Sequence, residues 1–353
     1  MSVSTSHEKY MRRCIEIAKN GLGTSAPNPM VGAVIVNGER IIGEGFTSPY
    51  GGPHAEVNAI QSVKEGSLLS SSTLYVTLEP CSHFGKTPPC ADLIVNSRIP
   101  KVVVGLMDPN PKVAGKGIQR LRDSECQVTV GVLETECREH HKRFLTFHEK
   151  KRPLIILKWA MTADGFIAPE SKKRTQAPQP YWITNPSSRQ LVHQWRSEEQ
   201  AILVGTNTVL QDNPRLDIRQ WTGKNPMRVI LDQDLKIDGN FHVLDGNIPT
   251  LVLTAIADSS KYINGINYEL LDFSKEIAPQ ICDVLHRYEI NSVLIEGGTQ
   301  TLTTFIKAGL WDEARVFTGK SRFTKGIEGP SLKATLLNSI RIDTDILNLY
   351  GND

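Results

Sequence analysis

The chain has 353 residues, which exceeds one ordinary domain and suits two. Its 40 lysine and arginine residues outnumber the 38 acidic residues by only two, so bulk charge argues against a nucleic-acid or membrane surface. The six cysteines follow no framework spacing, which favours a reduced chain with a metal site over a disulfide scaffold. The amino terminus lacks the apolar core of an export signal, and we expect a soluble cytoplasmic protein without membrane spans.

The first part of the chain alternates helix and strand patterns. Apolar residues recur at helical spacing from Tyr10 to Ala18, and Thr5 with Glu8 predicts a capping box before them. Asn37-Gly38 predicts a hairpin turn. The predicted strands are 31–36, 40–45, 73–78, 101–105 and 128–132, and the predicted helices begin at 55 or span 91–96, 118–124 and 134–147. This alternation predicts a three-layer α/β sandwich.

Four side chains in this region have the types and order of a zinc-dependent hydrolytic site. His54, Cys81 and Cys90 could bind the metal and leave one position open for water, while Glu56 is a carboxylate free to carry protons. An H-x-E motif followed by P-C and a second cysteine is the signature of nucleobase deaminases. The usual second element is P-C-x-x-C, whereas eight residues separate the two cysteines here.

The predicted elements would bring these ligands together. His54 and Glu56 fall in the first turn of one helix, Cys81 follows the end of a strand, and Cys90 opens another helix. A structural zinc normally has four protein ligands, and His83 could supply the fourth, so a structural site is the alternative. Asn28, in a rigid turn beside the sheet edge, either binds a ring edge or only makes the turn.

Two glycine-containing loops could bind phosphate through backbone N–H groups. The first runs from Asp108 to Gly117 before a predicted helix, and the second, Glu296 to Thr299, lies between a predicted strand and a predicted helix. A plain connection in the first case and a tight turn in the second are the alternatives.

The polar run from His148 to Pro153 predicts the domain boundary, with domains at 1–147 and 153–353 and a linker at 148–152. Residues 169–180 are rich in lysine, glutamine and proline and predict a surface excursion. Asn185 is a predicted helix N-cap. The strands predicted in this half are 154–158, 201–205, 227–231, 250–254 and 292–295, and the helices carry 191–196, 277–288 and 302–306.

Both halves resemble one known family, the bifunctional deaminase/reductase of bacterial riboflavin synthesis. The resemblance rests on shared motifs in each half and covers nearly the whole chain; the wide cysteine spacing is the family's own variant. These motifs are Asn28 to Gly32, His54 to Glu56, Glu79 to Cys90, Lys158, Ala160, Thr162, Asp164-Gly165, Trp182 to Thr184, Arg196 and Glu296 to Gly298. The resemblance implies a cytidine-deaminase-like αβα sandwich followed by a dihydrofolate-reductase-like α/β domain.

The resemblance also implies site residues and cofactors. Zn²⁺ would be bound by His54, Cys81 and Cys90, with Glu56 as the catalytic acid. NADPH would contact Ala160, Trp182, Thr208, Asp212, Gly298, Thr299, Gln300, Thr301, Leu302, Thr303 and Thr304. The phosphorylated aminopyrimidine substrate would contact Asn28, His83, Arg196, Leu216, Arg219 and Glu296.

The implied chemistry is deamination of the pyrimidine ring followed by NADPH-dependent reduction of the ribosyl side chain to ribityl. Arg196 and Arg219 suit a phosphate through bidentate hydrogen bonds, although a surface ion pair is the alternative for either. One position departs from the family: a substrate-contacting serine is replaced by Pro180, which has neither a side-chain donor nor an N–H group.

Two other functions fit part of the pattern. A deaminase of free or tRNA bases with an accessory domain would share the zinc motif, but the chain has no basic segment studded with aromatic residues. A zinc-stabilised binding module would keep the metal without the chemistry. We expect a small-molecule enzyme that acts on neither nucleic acid nor membrane and forms a homo-oligomer.

Overall fold

The computed structural model describes residues 3–82, 88–110, 113–170 and 178–352. It divides into two compact units, Met1–Lys150 and Lys151–Asp353. This division falls within the predicted linker, 148–152. Residues 148–150 of that linker form the end of a helix. A bilayer-crossing helix, long and apolar throughout, is absent from the described part of the chain.

The first unit is built on a five-stranded sheet. Its strands are β1 (Gly32–Asn37), β2 (Arg40–Phe46), β3 (Thr73–Val76), β4 (Lys101–Val104) and β5 (Gln127–Val130). They lie in the order β2-β1-β3-β4-β5, with β1 antiparallel to both neighbours and β3, β4 and β5 parallel. All five strands and the hairpin were predicted from the sequence. Because β3, β4 and β5 are parallel, their carboxyl ends meet at one edge of the sheet.

The described residues of this unit form six α-helices. They are α1 (Val3–Ala18), α2 (Ala55–Gln61), α3 (Cys90–Asn96), α4 (Lys116–Asp123), α5 (Glu134–His140) and α6 (Lys142–Lys150). The prediction of a cap at Thr5 is wrong, since α1 begins at Val3. The prediction of one helix at 134–147 is also wrong. The helix is interrupted at the buried His141. The His141 ring lies in the interior, where its Nε2 is 3.0 Å from the Thr77 hydroxyl.

The second unit contains a nine-stranded sheet and a separate two-stranded one. The strands are β6 (Leu154–Met161), β7 (Phe166–Pro169), β8 (Ala201–Gly205), β9 (Met227–Leu231), β10 (Thr250–Thr254), β11 (Asn267–Leu270), β12 (Ser292–Ile295), β13 (Glu313–Thr318), β14 (Gly326–Glu328), β15 (Thr335–Ile342) and β16 (Asp345–Gly351). The large sheet has the order β11-β10-β9-β8-β12-β6-β13-β16-β15, and β7 pairs with β14. In this order, the seven strands from β11 through β13 are mutually parallel. Strand β16 pairs antiparallel with both of its neighbours, β13 and β15.

Where the second unit is described, four α-helices accompany these strands: α7 (Pro186–Glu198), α8 (Thr206–Asp212), α9 (Ile277–Arg287) and α10 (Thr299–Ala308). The predicted N-cap is confirmed, because the Asn185 side chain accepts a hydrogen bond from the Ser188 N–H at 2.9 Å. Alternate residues of β6 pack into different clusters: Ile155 joins the core that contains α9 and α10, and Ile156 the core that contains α7. Helices therefore cover both faces of the sheet, and ligands reach it at the carboxyl ends of its parallel strands.

Candidate functional site

The first candidate site begins at the amino terminus of α2. His54 is the N-cap residue, with an extended backbone, and Glu56 lies in the first turn. Helix α2 lies very close to β2, because a Cβ atom on Gly45 would stand 2.4 Å from the carbonyl oxygen of Ala55. Glycine at this position therefore fixes the start of α2, and both functional side chains with it, against the sheet.

The three predicted ligands meet in space. His54 Nδ1 lies 3.6 Å from Cys81 Sγ and 3.3 Å from Cys90 Sγ. The three ligand atoms lie within 4.8 Å of one another and form the one group of this kind found among the described residues. Cys81 follows the strand β3 and Cys90 opens α3, as predicted from the sequence. The Cys90 N–H points to Cys81 Sγ at 3.4 Å, which orients the sulfur.

The donor set fits zinc. Zinc prefers thiolate and imidazole ligands, and tetrahedral ligation at its usual bond lengths places nitrogen and sulfur about 3.6 Å apart. The observed separations of 3.3 and 3.6 Å agree with that value. The three ligands found among the described residues leave one coordination position, as in catalytic zinc sites.

The ligand side chains interact with one another through hydrogen bonds. The hydrogen bond between the two thiols lowers the pKa of Cys81 and raises that of Cys90. The hydrogen bond to Cys81 raises the pKa of His54. Binding of a metal would release any proton that these ligands carry, because metal ligands bind deprotonated.

Glu56 is a buried carboxyl group beside the ligands. Its side chain is almost fully enclosed, with 3% of the residue exposed. Burial, followed by the charge of Cys81, raises the pKa of Glu56 to about 7, while His54 and a hydrogen bond with Cys90 act in the opposite direction. An acid that titrates near neutral pH can both take up and release a proton, which suits general acid–base catalysis.

The loop from Asp108 to Gly117 does not offer its backbone to a phosphate. The carboxylate of the buried Glu79 accepts its N–H groups, from Asp108 at 3.3 Å, Gly115 at 2.9 Å and Gly117 at 2.9 Å. The plain connection is therefore the better of the two interpretations of this loop, because an acidic side chain from the neighbouring strand end already occupies the position of an anion. Residues 111 and 112 lie outside the described part of the chain.

Two predicted substrate contacts of this unit remain predictions. Asn28 is half-buried, and its backbone N–H donates to the Ser25 carbonyl at 3.0 Å, so it makes a turn whatever else its side chain binds. His83 lies outside the described residues, so its predicted contact with substrate and its alternative role as a fourth metal ligand both remain predictions. Asp108, which the sequence did not single out as a side chain, is buried near Glu79 and Cys81. Burial raises its pKa to about 6.

The second candidate site is a cavity of about 1160 Å³ in the second unit. It lies at the carboxyl ends of the parallel strands, as expected for an open α/β sheet. Most predicted reductase contacts line it: Ala160, Trp182, Arg196, Thr208, Asp212, Leu216, Arg219, Glu296, Gly298, Thr299, Gln300, Thr301 and Thr304. Leu302 and Thr303 are not among its lining residues, and Leu302 packs in the core.

A buried carboxylate lies between two cations in this cavity. Glu296 accepts hydrogen bonds from Arg196 Nε at 2.7 Å and Nη2 at 3.0 Å, and from Lys158 Nζ at 3.3 Å. Burial raises the pKa of Glu296, but the charges and hydrogen bonds of Arg196 and Lys158 outweigh it and lower the pKa to about 2. The carboxylate is thus ionised at neutral pH and can accept hydrogen bonds from a ligand.

The arginines of the cavity differ in what they offer a phosphate. Arg196 Nη1 also donates to the Asp217 carbonyl, so only one hydrogen on each terminal nitrogen is left for a ligand. Arg219 is half-exposed and pairs with the Asp217 carboxylate. Leu216 is buried and has a left-handed backbone, with φ 53°.

The amino terminus of α10 is open towards the cavity. Helix α10 lies close to β8, since a Cβ atom on Gly205 would stand 2.6 Å from the Thr301 hydroxyl oxygen. The Gly298 N–H donates to the Thr208 hydroxyl at 3.0 Å. The start of a ten-residue helix carries partial positive charge, which favours the phosphate prediction for this loop.

The loop before α7 adds two exposed aromatic residues to the cavity wall. The Arg189 guanidinium lies 4.9 Å from the centre of the Trp182 ring, a cation–π distance. Tyr181 packs edge-on against Phe323, with ring centres 4.9 Å apart. Pro180 also lines the cavity.

Two protein-family models match the chain, one in each of the two compact units. The family model described as the cytidine and deoxycytidylate deaminase zinc-binding region matches residues 4–106. The model described as the RibD C-terminal domain matches residues 153–347. The matches fall in the two compact units.

Similar proteins match nearly the full length. The chain is 40% identical over 323 residues to the riboflavin biosynthesis protein RibD of Aquifex aeolicus, covering 91% of this chain and 88% of that protein. It is 33% identical to the RibD of Escherichia coli, covering 88% and 86%. The crystal structure of a Thermotoga maritima diaminohydroxyphosphoribosylaminopyrimidine deaminase/5-amino-6-(5-phosphoribosylamino)uracil reductase matches with a TM-score of 0.88 at 39% identity, over 99% of both chains.

Proposed function

The chain belongs to the RibD family of bifunctional riboflavin biosynthesis enzymes, and from this premise we propose which of its residues carry each reaction. The chain combines a zinc-dependent deaminase with an NADPH-dependent reductase and acts on a small phosphorylated pyrimidine. The observation that carries the residue assignment is the convergence of His54, Cys81 and Cys90 beside the buried Glu56.

In the deaminase site, His54, Cys81 and Cys90 hold the metal and Glu56 moves the protons. Bound zinc makes water acidic enough to attack at neutral pH. Glu56 accepts the two protons of the attacking water in turn and delivers one to the ring nitrogen and the other to the leaving amino group. The new C–O bond replaces the C–N bond, and ammonia leaves. The pKa of about 7 lets Glu56 act in both directions.

In the reductase site, the start of α10 and the residues Ala160, Trp182, Thr208 and Asp212 bind NADPH. NADPH held there would supply the hydride for the ribosyl C1, whose bond to the ring oxygen is the bond that breaks. Glu296, held ionised by Lys158 and Arg196, accepts hydrogen bonds from the ribose hydroxyl groups. Arg219 and the remaining Arg196 hydrogens bind the phosphate. The oxygen released from the ring takes up a proton.

We further propose a cytoplasmic homo-oligomer. All six cysteines are free, which suits a reducing compartment. Strand β15 is an edge strand of the large sheet, and it exposes the apolar Leu336, Leu337 and Ile340. Exposed apolar edges of this kind are sites of association. Light scattering on the purified protein measures its mass in solution, and a monomer would contradict the proposal.

The two activities can be tested separately in one experiment. We expect the protein, given the diaminopyrimidine substrate alone, to release ammonia and accumulate the uracil product. Addition of NADPH should then convert that product to the ribityl compound with one NADPH oxidised per molecule. Ammonia release without NADPH oxidation would contradict the reductase assignment, and the reverse would contradict the deaminase assignment.

A further inference from the structure

Glu79 occupies an unusual position, immediately before the Pro80-Cys81 pair at the end of β3. It is a buried acid with 4% of the residue exposed. Its carboxylate accepts four backbone N–H groups, two on each oxygen. Oε2 accepts from Asp108 and Gly115, and Oε1 from Gly117 at 2.9 Å and Ile118 at 3.2 Å. These donors belong to the loop before α4 and to its first turn.

The main chain around Glu79 is held as well. The Glu79 N–H donates to the Leu106 carbonyl at 2.9 Å, which continues the pairing of β3 with β4 beyond the strand ends. Pro80 then restricts the backbone. Two residues on, the carbonyl of Cys81 accepts the Ala91 N–H at 3.1 Å, and its sulfur accepts the Cys90 N–H. The chain is thus fastened on both sides of Pro80.

Helix α4 presses against the same segment. A Cβ atom on Gly117 would stand only 1.9 Å from the Pro80 carbonyl oxygen. Any larger residue must push the Glu79-Pro80-Cys81 segment away from α4. The close approach of Gly117 and the four hydrogen bonds of Glu79 thus both hold the segment from Glu79 to Cys81. The first acts by steric contact and the second by electrostatic attraction.

We propose that Glu79 is a positioning residue for the metal centre, fastening the segment that carries Cys81 to the loop before α4. This inference rests on the proposed role of Cys81 as a metal ligand. Glu79 satisfies donors that would otherwise be orphaned at the start of α4, and a carboxylate is favoured there by the helix dipole. Because the start of α4 holds Glu79, it also holds the adjoining Pro80-Cys81 pair and so fixes the position of Cys81 Sγ relative to His54 Nδ1. Both oxygens of Glu79 accept backbone N–H groups, and Glu79 is not one of the three ligand residues.

The test compares metal affinity in folded full-length variants. Glu79→Gln keeps the shape of the side chain but turns an NH₂ group towards N–H donors. We expect its zinc dissociation constant, measured by chelator competition, to rise about 10- to 100-fold, the usual effect of losing a supporting partner of a metal ligand. With cobalt in place of zinc, the thiolate-to-metal charge-transfer band should weaken or shift. A residue that only capped α4 would alter stability and leave both readouts unchanged.

Asp92→Asn is the matched control. Asp92 also links α3 to α4, through an ion pair with Arg120 at 2.8 Å, and its loss changes the net charge equally. That pair is solvent-exposed, so we expect unchanged zinc affinity and an unchanged cobalt spectrum. Each variant should also retain NADPH oxidation with the deaminated substrate, since that activity belongs to the second unit.

Gly117→Ala tests the contact from the other side and serves if Glu79→Gln does not fold. Alanine is the better helix former, so a simple helix effect would favour this variant. We expect weakened zinc binding although the Glu79 carboxylate is intact. Unchanged zinc affinity in folded Glu79→Gln, or in Gly117→Ala if that is the variant that folds, overturns the positioning role. A native chain that binds no zinc, or whose cobalt form lacks the thiolate band, instead overturns the metal assignment itself.

Discussion

Glu56→Gln should lower the rate of deamination about 10²- to 10⁴-fold, the range that general acid–base catalysis contributes. Glutamine keeps the size of the buried side chain but can neither accept the proton from water nor deliver it to the leaving amino group. His54, Cys81 and Cys90 are untouched, so we expect one zinc per chain in the variant as in the native protein. Ammonia release and metal content are the two measurements.

The second unit supplies the internal control for this variant. Reduction of the deaminated product should proceed at the native rate, because Glu56 lies in the first unit and the reductase cavity in the second. A folded Glu56→Gln chain that holds zinc and still releases ammonia at the native rate would show that another group carries the protons. The zinc-stabilised binding module would then be the better interpretation of this unit.

The metal ligands could be predicted because each lies at an element boundary that the sequence marks. Glycines and Pro53 precede His54, Pro80 precedes Cys81, and Cys90 follows a proline pair, so helix starts and a strand end were visible locally. Parallel strands then dictate that such ends meet. The family motif supplied what spacing alone left open, namely that eight residues between the cysteines still describe one site.

The partners of buried charges could not be predicted from the sequence. Glu79 binds backbone donors at least 29 residues away, and no side-chain pattern marks a backbone N–H as a ligand. The sequence of the loop before α4 therefore leaves a phosphate site and a plain connection both open. The sequence marks Lys158 only as part of a family motif. Its contact with Glu296 is not predictable locally, because the two residues lie 138 positions apart. Such pairs become visible only once the strand order is known.

The carboxyl-terminal strands were missed for a different reason. Strand β15 is exposed along almost its whole length, so it lacks the alternation of buried and exposed residues that indicates a half-buried strand. Strand β13 follows a helix closely, and its pairing with β6 defines it more than its composition does. The fold class is nevertheless confirmed, a cytidine-deaminase-like unit followed by a dihydrofolate-reductase-like unit.

Glu296→Gln should abolish reduction and destabilise the second unit by about 3 kcal/mol, because it leaves the largely enclosed side chains of Arg196 and Lys158, which are 12% and 15% exposed, without their counter-charge. All five tryptophans lie between 159 and 311, so tryptophan fluorescence during urea unfolding reports on this unit alone. Deamination should continue at the native rate. Glu269→Gln is the control: its ion pair with Arg287 is partly exposed and should contribute less than about 1 kcal/mol.

The dependence of this loss on pH identifies its source. The pKa of Glu296 is lowered to about 2 in the folded chain, against about 4.3 for an unfolded glutamate. Its ionised form therefore stabilises the second unit fully above about pH 4.3, and this contribution disappears as the pH falls towards 2. The difference in unfolding free energy between the native protein and Glu296→Gln should shrink over that interval. A difference that stays constant down to pH 2 would mean that packing, and not the charge between Arg196 and Lys158, accounts for the loss.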